Sequence, residues 1–284
     1  MIEQMVVNGL LAGLIYIIMA LGFTLIFGIM RIVNFAHGEF YMAGAMVVLL
    51  LFGVMGWNFF VAVAVGGVLS AALGVVVERM LFRPLVGEEL QGMIMSLAVG
   101  ITLQSLALIL FGPSEQTVAR PFSGTWSLAN AVVPWDRTVV ALAALAILGV
   151  FYVFLKFSRL GLAMQAVAQD PETSSLMGVE SGIIYSAAFG IACLLAGLAG
   201  GLMAPIYTVG PYMGELPMLK AFVVVILGGL GSLPGAVLGG LLIGLSESVL
   251  STLLDSTAAL IASFTIVLLI VVIRPAGLMG RSVR

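Results

Sequence analysis

The sequence predicts an all-α fold, a polytopic bundle of about eight or nine transmembrane helices, some of them broken by glycine. Three observations predict it. Hydrophobic residues make up 62% of the 284 and charged residues only 8%, with 35 glycines on top of that apolar share. A soluble domain is roughly 45–50% apolar with glycine included and about 25% charged, and a soluble chain of this length leaves too much surface in water to hide such a composition. Long charge-free runs recur along the chain, each near the roughly 20 residues that a helix needs to cross a bilayer core of about 30 Å. The runs are uniformly apolar, whereas strands of a membrane barrel would be about 9–11 residues long and alternate apolar with polar. Lipid offers the backbone no hydrogen-bond partners, so each run must pair its own amides as a helix. A soluble enzyme, a nucleic-acid binder and a disordered regulator are thereby excluded.

The elements follow in order. Met5 to Met30 gives one span. It is too long for a signal-peptide core, has no positive segment before it, and reads as retained in the membrane. Phe40 to Val77 is too long for one helix, and Gly53-Val54-Met55-Gly56-Trp57-Asn58 divides it in two. Leu90 to Ser114 gives a fourth span, ended by Gly112-Pro113, and Thr138 to Leu155 a fifth. Between them, residues 115–137 form a long outer loop whose Trp126 and Trp135 suit the membrane interface. Ser181 to Gly214 gives a sixth, stopped near Pro205. Ala221 to Ser246 is interrupted by the glycine-rich segment 228–235, and Ser256 to Ile273 is the last, ended by Arg274-Pro275. The whole chain, 1–284, reads as a single membrane domain with an inner loop at about 156–182.

Orientation follows from Lys and Arg, which concentrate on the cytoplasmic side. With nine spans, Arg31, Arg79, Arg83, Lys156, Arg159, Arg274, Arg281 and Arg284 share one side, and Arg120, Arg137 and Lys220 the other. The first side is then cytoplasmic and the N-terminus lies outside. An eight-span count would move one terminus across.

The chemistry that is missing narrows the function. A net charge of −2 gives no basic face for nucleic acid. One cysteine, Cys193, and one histidine, His37, cannot form a zinc cluster or an internal disulfide. No catalytic set, metal site or cofactor motif is present. Lys156 and Lys220, the only lysines, do not follow glycine as a phosphate-binding Gly-x-x-x-x-Gly-Lys loop requires. Carboxylates such as Glu39, Glu78 and Glu247 stand at the ends of the apolar runs, so no ion relay is evident within the spans. A transporter built this way must draw energy from elsewhere or be passive.

Small-residue pairs one helical turn apart, Gly9/Gly13, Gly197/Gly201, Gly235/Gly239 and Gly240/Gly244, point to helices packed backbone to backbone. The run Gly228-Gly229-Leu230-Gly231-Ser232-Leu233-Pro234-Gly235 cannot hold a regular helix well. Broken helices at membrane depth face protein or water, often beside a transport site, so Gly228, Gly229 and Gly231 are pathway candidates. Asn34-Phe35-Ala36-His37-Gly38-Glu39-Phe40 brings three polar side chains into an apolar region. It is either a polar cytoplasmic turn with Glu39 at a helix N-terminus or a gate in which Asn34, His37 and Glu39 face the substrate. In the inner loop, Asp170 can cap a short helix with Pro171 first and Glu172 next, and Gly178 can stop it about two turns later. Leu176 and Met177 would give that helix an apolar contact. It is either a docking helix for a soluble partner or an interfacial helix lying on lipid.

These motifs resemble the LivH-type permeases, membrane subunits of the ATP-binding cassette importers of branched-chain amino acids. Asn34 to Met42 resembles the family's signature after the first span. Ala166-Val167-Ala168-Gln169-Asp170-Pro171-Glu172 with Leu176-Met177-Gly178 resembles its coupling loop. The segment from Gly228 to Ala236 resembles its glycine-rich stretch, and Arg274-Pro275-Ala276-Gly277-Leu278 its ending. The resemblance implies a multi-pass subunit of the bacterial inner membrane, working with a second homologous permease, two cytoplasmic ATPase subunits and a substrate-binding protein on the outer face. It also implies that Ala168, Asp170, Pro171, Glu172, Leu176 and Gly178 form the ATPase-coupling helix, and that leucine, isoleucine or valine crosses a mostly apolar lumen near the packed glycines, its zwitterion lightly held. Urea and short-chain amide importers use related permeases, so those substrates stay open. A stand-alone secondary carrier and a passive channel are the readings from other classes.

Overall fold

The computed structural model describes residues 2–128, 131–273 and 277–280, so Arg274, Pro275, Ala276, Arg281 and Arg284 of the sequence reading lie outside the described residues. Helix α1 (Ile2–Met30) has 29 residues, about 43 Å at 1.5 Å per residue. Helix α2 (His37–Val48) widens into π-helical turns over Leu49–Val54. The predicted break follows: Gly56 has a φ of +70°, and Asn58 starts α3 (Phe59–Val77) by accepting hydrogen bonds from the amides of Phe60 (3.0 Å) and Val61 (3.4 Å). Helix α3 continues through irregular turns to Leu85. Helix α4 (Glu89–Phe111) ends at Gly112, and α5 (Trp135–Phe157) leads into the inner-face helices α6 (Arg159–Gln169) and α7 (Pro171–Leu176). Helix α8 (Ser181–Met203) returns outward, followed by α9 (Glu215–Gly228), α10 (Leu233–Leu253) and α11 (Ser256–Ile273).

Among the described residues, seven helical stretches are long and apolar enough to cross a membrane: Ile2–Met30, His37–Val54, Phe59–Leu85, Glu89–Phe111, Trp135–Phe157, Ser181–Met203 and Leu233–Leu253. Counting the 14-residue α9 and the shorter apolar stretch Thr257–Ile270 of α11 gives nine. The outer loop holds a departure from helix that the apolar runs do not predict. A hairpin pairs β1 (Thr125–Leu128) with β2 (Ala131–Pro134), Trp126 opposite Val133. It is short and lies outside the bilayer, where its free edges meet water or the N-terminal part of α1: Gln4 Oε1 accepts from the Val132 amide at 2.9 Å.

The core lies where α1, α2, α3 and α8 cross, filled by Ile18, Phe23, Phe40, Phe189 and Leu202, while α4 and α5 expose most of their length. Two glycine seams close it. Helices α1 and α10 run antiparallel with Gly9 against Gly244 and Gly13 against Gly240, and α2 meets α8 with Gly44 against Gly197. At the second seam a Cβ on Gly44 would overlap the Gly197 backbone, and a Cβ on Gly197 would overlap Ser70 of α3. The seams are therefore closed contacts between helices.

The segment 31–36 is not a cytoplasmic turn. It leaves α1 at Arg31, whose φ is +55°, and runs non-helically back into the bundle beside α4. Ile32 touches Gly92, Phe35 reaches Ser96, and Glu39 reaches Gln104. His37 Nε2 lies 3.1 Å from the Met19 carbonyl oxygen, 11 residues before the end of α1 or about 16 Å from its inner end. A carbonyl only accepts, so Nε2 carries the proton. Helix α2 thus begins at membrane depth, and its lead-in needs partners that lipid cannot supply. Ser96 Oγ accepts from the Phe35 amide (3.0 Å) and lies 3.3 Å from the Val33 carbonyl; Asn34 Oδ1 accepts from the Ala36 amide (3.1 Å), and the Asn34 carbonyl from the His37 amide (3.3 Å).

Two substitutions test this packing. Gly44→Val must push α2 off α8 and is expected to destabilise the chain by about 3 kcal/mol, read as a fall in Tm of the detergent-purified protein; an unchanged Tm would contradict the close approach. Ser96→Ala leaves the Phe35 amide without a partner, an expected cost of about 1–3 kcal/mol, whereas Ser96→Thr keeps the hydroxyl and should melt closer to the wild type.

Candidate functional site

On the inner face, α6 folds back on the end of α5. Ser158 Oγ accepts from the Gly161 amide (2.9 Å), and Gln165 Nε2 donates to the Leu155 carbonyl (2.6 Å). Asp170 then caps α7: Oδ1 accepts from the Thr173 amide (3.0 Å) and Oδ2 from the Thr173 hydroxyl (2.5 Å). These donors hold the exposed Asp170 carboxyl below the usual carboxylate range. A lowered pKa means that the cap is fully formed above the ordinary aspartate range and is lost only as pH falls through the lowered value. Pro171 occupies the first turn, and Gly178 follows the helix at φ +87° with open space where a Cβ would stand. Leu176 and Met177 are 86% and 81% exposed.

The base of this loop meets other candidates that are remote in sequence. Ala168 shares a cleft with Gly231, Gly28 and Thr24, while Ala168 and Pro171 border a second one with Arg31 and Met30. Gly229 (φ +103°) and Gly231 (φ +78°) form the tight turn between α9 and α10, and Gly228 sits backbone to backbone against Gly235. The open carbonyls at the end of α9 are taken by the C-terminal residues: the Leu278 amide donates to Leu227 (2.8 Å) and the Met279 amide to Gly228 (2.9 Å). Behind α7, the buried Glu78 joins α3 to α8. It accepts from Arg83 Nε (3.2 Å) and from the Ser186 hydroxyl (2.5 Å), while Arg83 Nη2 also reaches the Gly182 carbonyl (2.7 Å).

On the outer side, a cavity of about 300 Å³ opens between α1, the start of α2, the connection from α8 to α9, and α9 itself. Its walls are mostly apolar, with Ile15, Met19, Met203, Met213 and Leu216 among them, and Tyr16, Tyr41 and Lys220 supply polar groups. Lys220 Nζ donates to Glu247 Oε1 (2.5 Å) and to the Tyr16 hydroxyl (2.7 Å), and Tyr16 in turn donates to Glu247 Oε2 (2.8 Å). Two expectations are corrected here. Lys220 is no outer-loop cation, since α9 begins five residues before it. Glu247 lies within α10, not at a span end, and pairs with Lys220. Linear runs hid this pair because its members stand on separate helices 27 residues apart; a lysine and a glutamate inside neighbouring apolar stretches were the available signal.

None of Asn34, His37, Glu39, Gly228, Gly229 and Gly231 lines this cavity. Asn34 and His37 are buried and bonded to backbone. Glu39 is buried with one oxygen accepting from Gln104 Nε2 (2.9 Å). Gln104 and Glu215 close that cluster at 3.4 Å. The four buried polar atoms without a partner among the described residues are Thr24 Oγ1, Asn34 Nδ2, His37 Nδ1 and Glu39 Oε2. Among the described residues no group of histidine, cysteine and carboxylate side chains could hold a metal.

Known proteins with this sequence pattern are transport subunits. Residues 5–273 match the family model described as "Branched-chain amino acid transport system / permease component". The chain is 32% identical to the high-affinity branched-chain amino acid transport system permease protein LivH of Escherichia coli K12, across 98% of this chain and 95% of that one. It is 31% identical to the corresponding protein BraD of Pseudomonas aeruginosa with the same coverage. LivM of E. coli K12 is 26% identical across 94% of this chain and 68% of its own length. In fold, the chain is similar to a chain of PsaBC from Streptococcus pneumoniae solved with a Fab, with a TM-score of 0.50 at 16% identity, covering 95% and 91% of the two chains. Apolar helices and the family match agree: the chain is a multi-pass inner-membrane protein and belongs to the permease component family of branched-chain amino acid transport systems.

Proposed function

We infer that this chain is one permease subunit of an ATP-binding cassette importer that moves leucine, isoleucine and valine inward, with ATP hydrolysed by partner chains. The observation that carries the reading is α7. A six-residue helix is too short to be stable alone, yet it is capped at both ends, held at its base and presents Leu176 and Met177 to solvent. That is the form of a docking element, with apolar anchors on a rigid support. The chain itself offers no phosphate-binding loop to supply power.

The partners follow from the same reading. Two cytoplasmic ATPase subunits take the α7 helices, one from each permease, with Ala168, Asp170, Pro171, Glu172, Leu176 and Gly178 shaping the coupling loop within a single membrane domain spanning 1–284. A soluble binding protein delivers substrate to the outer cavity. A second, homologous permease completes the pathway; that LivH and LivM of one organism both align with this chain supports such a pairing. Gly228, Gly229 and Gly231 act as the pivot between the loop and α9, while Asn34, His37 and Glu39 hold the gate-side start of α2.

Substrate-stimulated ATPase activity of the reconstituted complex tests this. Leu176→Glu with Met177→Glu is expected to lower stimulation about tenfold or more by removing the anchors, with leucine binding by the soluble protein unchanged. Asp170→Ala should uncouple in the same direction and Asp170→Asn much less, because asparagine also caps. Stimulation at wild-type level in the double glutamate variant would refute the docking role.

A further inference from the structure

The outer cavity contains more polar chemistry than an apolar conduit needs. Ionisable residues inside a membrane bundle are costly and mark substrate or ion paths by default. Lys220 and Glu247 are not sealed: their side chains remain 20% and 22% exposed. Of the pair, Lys220 lines the cavity while Glu247 stands behind it. Tyr41, only 2% exposed, also lines the cavity. A phenol in the wall of a cavity that also holds Lys220 and apolar side chains is a donor that a ligand placed there can use.

We propose that this cavity is a binding station for a free amino acid, whose carboxylate takes the Tyr41 hydroxyl and Lys220 and whose aliphatic side chain packs against Met19, Met203 and Met213. This rests on the transport reading and deepens it. Glu247 holds Lys220 in place, so the lysine adds a carboxylate without leaving its partner. Glu115, on the outer loop and also lining the cavity, is the acidic group that can meet the ligand's ammonium. Methionine is unbranched, flexible and polarisable, so three of them accept leucine, isoleucine and valine side chains of different shape where a rigid wall would select one. Affinity is expected to be weak, since a carrier must release what it holds.

The test is equilibrium binding of radiolabelled leucine to the full chain in lipid nanodiscs, without partners. Saturable binding is expected, with leucinol, which lacks the carboxylate, failing to compete. Tyr41→Phe, which keeps the ring, should weaken binding about tenfold by removing one hydrogen bond to a charged group. Lys220→Met combined with Glu247→Gln should weaken it further, with thermal unfolding checked to show that the fold survives. No saturable binding by folded wild-type chain, equal competition by leucinol, or wild-type affinity in Tyr41→Phe would each overturn the site. These outcomes are separate from failure of the transport reading, which would show as no leucine uptake by the complete reconstituted complex.

Discussion

A backbone amide at membrane depth has no water to bond to, and this chain stops being helical there. Between α1 and α2 it climbs back into the bundle for six residues before the helix resumes. The segment survives because specific groups receive its amides and carbonyls: Ser96 from α4, Asn34 from within, and the Met19 carbonyl through the His37 ring. The polar motif Asn34 to Glu39 is therefore first a device for starting a helix in the middle of a membrane. Its consequence appears one turn later. By fixing the height of His37 it places Tyr41 at the wall of the outer cavity.

Helix α9 joins the two faces of the molecule. Its first turns supply Leu216, Pro217 and Lys220 to the outer cavity, and its last residue ends in the glycine turn that shares a cleft with Ala168 of α6. Motion of α7 has a short physical route to the cavity: through α6, across the Ala168–Gly231 cleft and along a helix of 14 residues. The Glu78–Arg83–Ser186 network fixes α3 to the start of α8 beside it. Arg83 is 40% exposed and Glu78 is buried, so it is loss of the arginine that would leave a buried carboxyl short of a partner.

Much of this was legible in the sequence, and for stated reasons. Apolar run length located the helices, and the breaks at Gly56–Asn58, Gly112 and Gly228–Ser232 stand where glycine and capping residues predict them. The start of α7 was readable from Asp170-Pro171-Glu172, because capping is local chemistry. What escaped depends on partners distant in the chain. Ser96 is a small residue in a span with nothing local to mark it, and its service to Phe35 exists only after the segment re-enters. Lys220 and Glu247 read as separate loop-end charges until α9 and α10 were set side by side. The hairpin at 125–134 escaped because four-residue strands in a polar loop carry almost no periodic signal.

Under the proposed function the chain is a conduit driven by partner chains at α7. The most direct measurement is leucine accumulation in proteoliposomes containing this chain with and without its ATPase partners, second permease and binding protein. Uphill accumulation only in the complete set, and only with ATP inside the compartment that the coupling helix faces, is the predicted result. Accumulation by this chain alone, driven by an ion gradient, would contradict it.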